Sequence, residues 1–164
     1  MSRKWDFRRS WSPHWSAVSH TLMLEIQHNW TGLLVECNPT LVPILRQRHR
    51  KAWIADVCLS PAKVPRFSNF FNDYNYTQTG RLETSLNKVK SNSSILYEVY
   101  SIPLYTLVTA LGYKEIDFFA LDVEGAEMEI LLTIPFDLLT IKVLTVEELS
   151  TTVSETCLGK WTSF

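Results

Sequence analysis

The run from Ile116 to Glu127 constrains the fold of this chain more than any other stretch. An apolar segment, Phe118-Phe119-Ala120-Leu121, ends abruptly in Asp122-Val123-Glu124-Gly125, and a helix-compatible segment from Ala126 to Ile134 follows at once. A strand buried on both faces reads as a continuous apolar run, and its handover to a helix marks a parallel α/β sheet. Ligands of such sheets bind at the carboxyl ends of the strands. Asp122 and Glu124 are two apart, so an extended chain sends both side chains to the same face. Two carboxylates at that edge point to a cofactor, a cation or a proton-transfer site. The structural alternative is that they favour the positive end of the next helix, the role expected of Glu127.

The other segments repeat the pattern. Val18, Leu22, Leu24 and Ile26 give Ser16 to Asn29 a helical period, and Leu33-Leu34-Val35 is a short buried strand closing on Glu36. Asn38-Pro39 opens a second helix whose far end, Arg46 to Lys51, is basic and suits the negative pole of a helix dipole. Ala52 to Leu59 reads as a strand. From Ser60 to Ser94 the composition shifts to Pro, Asn, Ser, Thr, Tyr and Phe, an excursion with a hairpin that can cover a site. Ile95 to Ile102 is strand-like, and Pro103 starts a helix that Gly112 ends. Ile141 to Val146 makes one more strand, closing on Glu147 and Glu148. Residues 1–18 read as an irregular leader in which arginines alternate with tryptophans without a helical period.

Composition narrows the function classes. A chain of 164 residues with 46% hydrophobic and 20% charged residues is long enough for one domain with a real core. Its net charge of -1 gives no electrostatic case for nucleic acid as a partner, and the Arg46–Lys51 run has no second basic cluster to support it. No apolar run approaches the roughly 20 residues of a membrane helix, and the leader lacks the apolar core of a signal peptide. As written, the chain is expected to be cytoplasmic. Cys37, Cys58 and Cys157 are odd in number and lack zinc-ligand spacing, so no metal is expected, and Cys37 and Cys58 are expected as buried free thiols. Three glycosylation sequons occur, at Asn29, Asn75 and Asn92, and matter only in a form that enters the secretory pathway.

Several motifs, taken in order, are recognisable together. Trp30-Thr31-Gly32-Leu33-Leu34-Val35-Glu36 with Asn38-Pro39, then Arg50-Lys51-Ala52, Cys58-Leu59-Ser60-Pro61, Ile116-Asp117, Leu121 to Glu127 and Lys142 to Glu147 resemble the FkbM-type methyltransferase domain, in its Star-like animal branch. The likeness covers residues 20 to 148. It implies an α/β fold, a Rossmann-like class I methyltransferase sheet, mostly parallel with flanking helices, that binds S-adenosylmethionine. By that resemblance Glu36 accepts hydrogen bonds from the ribose hydroxyls, Asp56 and Cys58 lie by the adenine, and Asp122 stands where methyl group and acceptor oxygen meet. A carboxylate there orients or deprotonates a hydroxyl of a small molecule or glycan, the requirement of O-methyl transfer. Glu124 and Glu147 are further candidates.

The chain also departs from that pattern. The family begins with a strand leading into a glycine-bearing loop that approaches the methionine end of the cofactor. Residues 1–18 contain no glycine, and the text after Glu147 no longer follows the family. The expectation is an incomplete domain at 19–149, with a leader at 1–18 and a tail at 150–164, impaired in transfer. The missing strand is the central one, so either the leader fills its slot poorly or the neighbours close the gap. The alternative is a non-catalytic Star-like interaction protein with a protein partner. It would act in endoplasmic reticulum, Golgi and endosome trafficking of growth-factor precursors, in a longer anchored form.

Overall fold

A computed structural model describes residues 5–8, 20–73, 80–85 and 94–146. In chain order the first elements are β1 (Trp5–Arg8), α1 (His20–His28), β2 (Thr31–Val35), α2 (Val42–Arg46), β3 (Trp53–Ala55) and β4 (Cys58–Leu59). They are followed by β5 (Arg66–Asp73), β6 (Arg81–Leu82), β7 (Ser94–Ile102), α3 (Leu104–Ala110), β8 (Glu115–Ile116) and β9 (Phe118–Leu121). Last come α4 (Glu127–Leu131), β10 (Thr140–Ile141) and β11 (Leu144–Val146). Five strands form one sheet in the order β11-β9-β1-β2-β3, with every neighbouring pair parallel. A second sheet has the order β4-β7-β5-β6, and β8 pairs separately with β10.

The central slot of the parallel sheet is filled by residues expected to be irregular leader. Trp5, Asp6, Phe7 and Arg8 stand in register with Thr31, Gly32, Leu33 and Leu34 on one side. Asp6 and Phe7 also stand in register with Phe118 and Phe119 on the other. Of the two outcomes left open above, the leader fills the gap. The reason is the backbone: β2 and β9 are both buried, and each unpaired amide or carbonyl on them costs about 1–3 kcal/mol.

Alternation along β2 sorts the core into two layers. Leu33 and Val35 join Phe119 and Leu121 of β9, Leu104 and Val108 of α3, and Ile130 and Leu131 of α4. Leu34, one residue out of phase, packs instead with Leu45 of α2 and with Ala52. The helices form where the sequence permits them. Pro43 occupies the first turn of α2, Glu127 and Glu129 the first turn of α4, and Gly112 turns the chain after α3 at φ +83°.

Ala52 to Leu59, expected as one strand, divides. Trp53–Ala55 pairs with β2 in the parallel sheet, whereas Cys58–Leu59 pairs with β7 in the second. Inside the excursion β5 pairs antiparallel with β6, and β5 also lies along β7, from Arg66 opposite Ser101 to Asp73 opposite Ser94. Phe70 is its fully buried anchor, packed with Leu82 and Cys58. Gly80 is required there, because a Cβ would sit 2.2 Å from Phe70 Cζ.

Cys37 and Cys58 are joined by a disulfide with Cα atoms 4.3 Å apart, which corrects the expectation of two free thiols. Spacing alone could not pair them, since 21 residues separate them in sequence and only the meeting of the two sheets brings them together. The bond ties the end of β2 to the start of β4, one sheet to the other. An ionic contact joins α1 to the segment that leads into β3. Arg50, with its side chain 4% exposed, places Nε and Nη2 on the Glu25 carboxylate at 2.9–3.0 Å and reaches Thr21 Oγ1 at 3.0 Å.

Two outcomes follow. Closing a loop of this length withholds about 3 kcal/mol of entropy from the unfolded chain, so Cys37→Ser/Cys58→Ser is expected to lower the thermal midpoint by about 6–12 °C. An unchanged midpoint in a melt followed by circular dichroism would remove the bridge from the account. Glu25→Ala leaves the Arg50 guanidinium buried without its carboxylate and is expected to cost about 3–5 kcal/mol in urea unfolding, well beyond a surface ion pair.

Candidate functional site at the carboxyl edge

Because the five strands run parallel, their carboxyl ends share one edge. The chain leaves β2 through Glu36-Cys37-Asn38 and leaves β9 through Asp122-Val123, on either side of β1. Between these exits lies a cleft lined by Val35, Cys37, Leu59, Ala120, Leu121, Asp122 and Val123. Its enclosed space is about 20 Å³, room for about one water, and the whole hollow with its open mouth is about 280 Å³. The enclosed space is far below the about 300–1,000 Å³ of drug-sized ligand pockets.

The residues named from sequence reach this edge in different ways. Asp122 lines the cleft directly and is half-buried. Glu36 is 4% exposed and absent from the lining; its Oε1 accepts the Asn38 backbone N–H at 2.7 Å. Its backbone N–H donates to Ala55 at 3.0 Å, extending the β2–β3 ladder by one bond. Asp56 is exposed, and its Oδ2 lies 2.8 Å from Arg46 Nη2 at the end of α2, away from the lining. Cys58 is spent in the bridge to Cys37. Glu147 lies outside the described residues.

Glu124 does not share a face with Asp122 in the way an extended chain would arrange. The strand ends at Leu121, and the backbone turns through Glu124 at φ +58° and Gly125 at φ +106°. The turn is held from below. Glu127 Oε1 accepts the Val123 N–H at 2.9 Å, and Oε2 accepts the Gly125 N–H at 2.9 Å. These are charge-assisted bonds to donors that no helix satisfies. Glu127 therefore does what its place in the first turn of a helix implied, and shapes the loop that carries Asp122.

Sequence reasoning missed Cys37 as a cleft residue. The signal was its position, two residues past the end of β2 and in phase with Val35. The basic run of α2 is spread over separate intramolecular contacts: Arg46 on Asp56, Arg50 on Glu25 and Lys51 on Asn29. Remote from the cleft, hydrogen bonds to Asp117 and then Glu115 raise the pKa of the exposed Lys142.

The described residues do not fit S-adenosylmethionine as a whole. One Glu36 oxygen already holds a backbone amide, Cys58 is closed into the disulfide, and no glycine follows β1 before α1. A family model for the methyltransferase FkbM domain matches residues 14–157. β1 lies ahead of that span, so the central strand comes from outside the matched sequence. No curated protein and no solved structure matches the chain.

The loop gives a direct test. Glu127→Ala removes the acceptor of two backbone amides and is expected to cost about 1–3 kcal/mol in urea unfolding, with Glu127→Gln recovering about half. Equal stability of all three chains would mean that the Val123–Gly125 turn holds itself.

Proposed function

From the premise that this chain belongs to the FkbM methyltransferase domain family, we propose that it keeps the family's Rossmann-like methyltransferase frame but transfers no methyl group in this form. The observation that carries this reading is the carboxyl edge. Asp122 lines the cleft, yet the enclosed space beside it is about 20 Å³, and one Glu36 carboxylate oxygen accepts the Asn38 amide. Near-attack geometry needs donor and acceptor held together at about 3–3.5 Å. An edge that does not seat the methionine end of the donor forfeits most of that advantage.

A second reading, a non-catalytic Star-like interaction protein, is favoured by one surface. On the outer face of the β5–β7 pair, Phe67 stands opposite Tyr100 and Phe71 opposite Leu96. Phe67 is 66%, Leu96 55% and Tyr100 43% exposed, two apolar pairs flanking the polar pair Asn69 and Glu98, a mixed surface of the kind protein partners cover. A role in trafficking of growth-factor precursors belongs to this reading, as does a lumenal location, since disulfides persist in oxidising compartments.

A thermal melt with S-adenosylmethionine, paired with a radiolabelled methyl-transfer assay, separates these. The expected result is a cooperative melt whose midpoint moves by less than about 1 °C at millimolar cofactor, with no transfer. A saturable rise equivalent to about 2.7 kcal/mol at one hundred times the dissociation constant, abolished by Asp122→Ala or Glu36→Ala, would overturn impaired binding. Turnover abolished by Asp122→Asn would overturn the reading altogether.

A further inference from the structure

We propose that Asn29 is an N-glycosylation site, modified in the same oxidising lumen that closes the Cys37–Cys58 bond. Three observations converge on it, and none depends on methyl transfer. The first is the acceptor tripeptide Asn29-Trp30-Thr31, whose middle residue is not proline. The second is accessibility. Asn29 is exposed at the turn between α1 and β2, with φ +54°, at the end of β2 opposite the cleft. Five residues of strand separate the two ends, about 17 Å, so a glycan there leaves the carboxyl edge open.

The third observation is a hydroxyl that the fold does not use. Thr31 opens β2, and its Oγ1 is buried without a hydrogen-bond partner. A buried hydroxyl without a partner costs stability, and a valine of the same shape would fill the position without that cost. The hydroxyl has a use before folding, when the tripeptide is read as an acceptor. The disulfide supplies the compartment, because a stable Cys–Cys bridge is rare in reducing cytosol.

The reaction is a substitution at sugar carbon. The Asn29 Nδ2 forms a bond to the anomeric carbon of an oligosaccharide carried on a lipid pyrophosphate. The carbon–oxygen bond to the pyrophosphate breaks, the lipid pyrophosphate leaves with the electron pair, and the amide proton passes to solvent. The carbonyl oxygen is untouched, so the hydrogen bond from Lys51 Nζ to Asn29 Oδ1 survives the modification.

The test is site-resolved mass spectrometry of the full chain expressed in eukaryotic cells behind a cleavable secretion signal, with an endoglycosidase control. Sugar is added to the nascent chain, so a variant that folds poorly still reports. Glycan is expected at Asn29 in the parent and in Thr31→Ser, and is expected to vanish in Thr31→Val and Asn29→Gln. Thr31→Val should keep or raise the thermal midpoint. Unmodified Asn29 in a chain whose Cys37–Cys58 bond has formed would overturn the proposal, as would sugar confined to Asn75 or Asn92. The same peptides from cells that express the protein naturally decide the compartment. Glycan on Asn29 with a closed bridge is expected there, and a bare Asn29 with reduced cysteines would overturn it.

Discussion

Everything at the carboxyl edge depends on one set of backbone hydrogen bonds, those that Trp5–Arg8 makes to β2 and β9 at once. Without that strand the two would face each other across an empty slot, with amides and carbonyls on both sides unsatisfied. With it, Glu36 and Asp122 leave the sheet one strand apart. That spacing defines a cleft rather than a continuous surface. Backbone pairing is indifferent to side-chain identity, which is why a segment mixing Trp, Asp, Phe and Arg can serve. The strand needs only to be extended and in reach.

This also explains what the sequence hid and what it revealed. Strands flanked by apolar neighbours on both faces were legible, because Leu33-Leu34-Val35 and Phe118-Phe119-Ala120-Leu121 carry their burial in their composition. The helix after Pro103 and the antiparallel excursion were legible for similar local reasons. Trp5–Arg8 was not, since its reason for being a strand lies in residues well over twenty positions away. The split of Ala52–Leu59 was hidden in the same way. An apolar run says that a strand is buried, not which sheet buries it.

The site was legible in part. Asp122 was placed correctly at a strand end, because the change from apolar to acidic residues marks that point without reference to anything distant. Glu124 was misplaced in orientation, because the two-residue spacing argument holds only while the chain stays extended, and the strand ends at Leu121 with Glu124 itself in the left-handed region. The cysteines were misread for a topological reason. Cys37 ends a segment of one sheet and Cys58 begins a strand of the other, so their approach is a property of how the sheets meet.

That meeting also sets what the edge can do. Cys58 and Phe70 anchor the second sheet to one cluster, and Cys37 carries the same cluster to the rim of the cleft. A flexible rim can adapt to a bulky nucleoside, but a rim covalently fixed at the end of β2 pays strain to move. The apolar side of the cleft is therefore the rigid one, held by a covalent bond and a fully buried phenylalanine. The acidic side includes the hydrogen bonds that Glu127 accepts from its own loop.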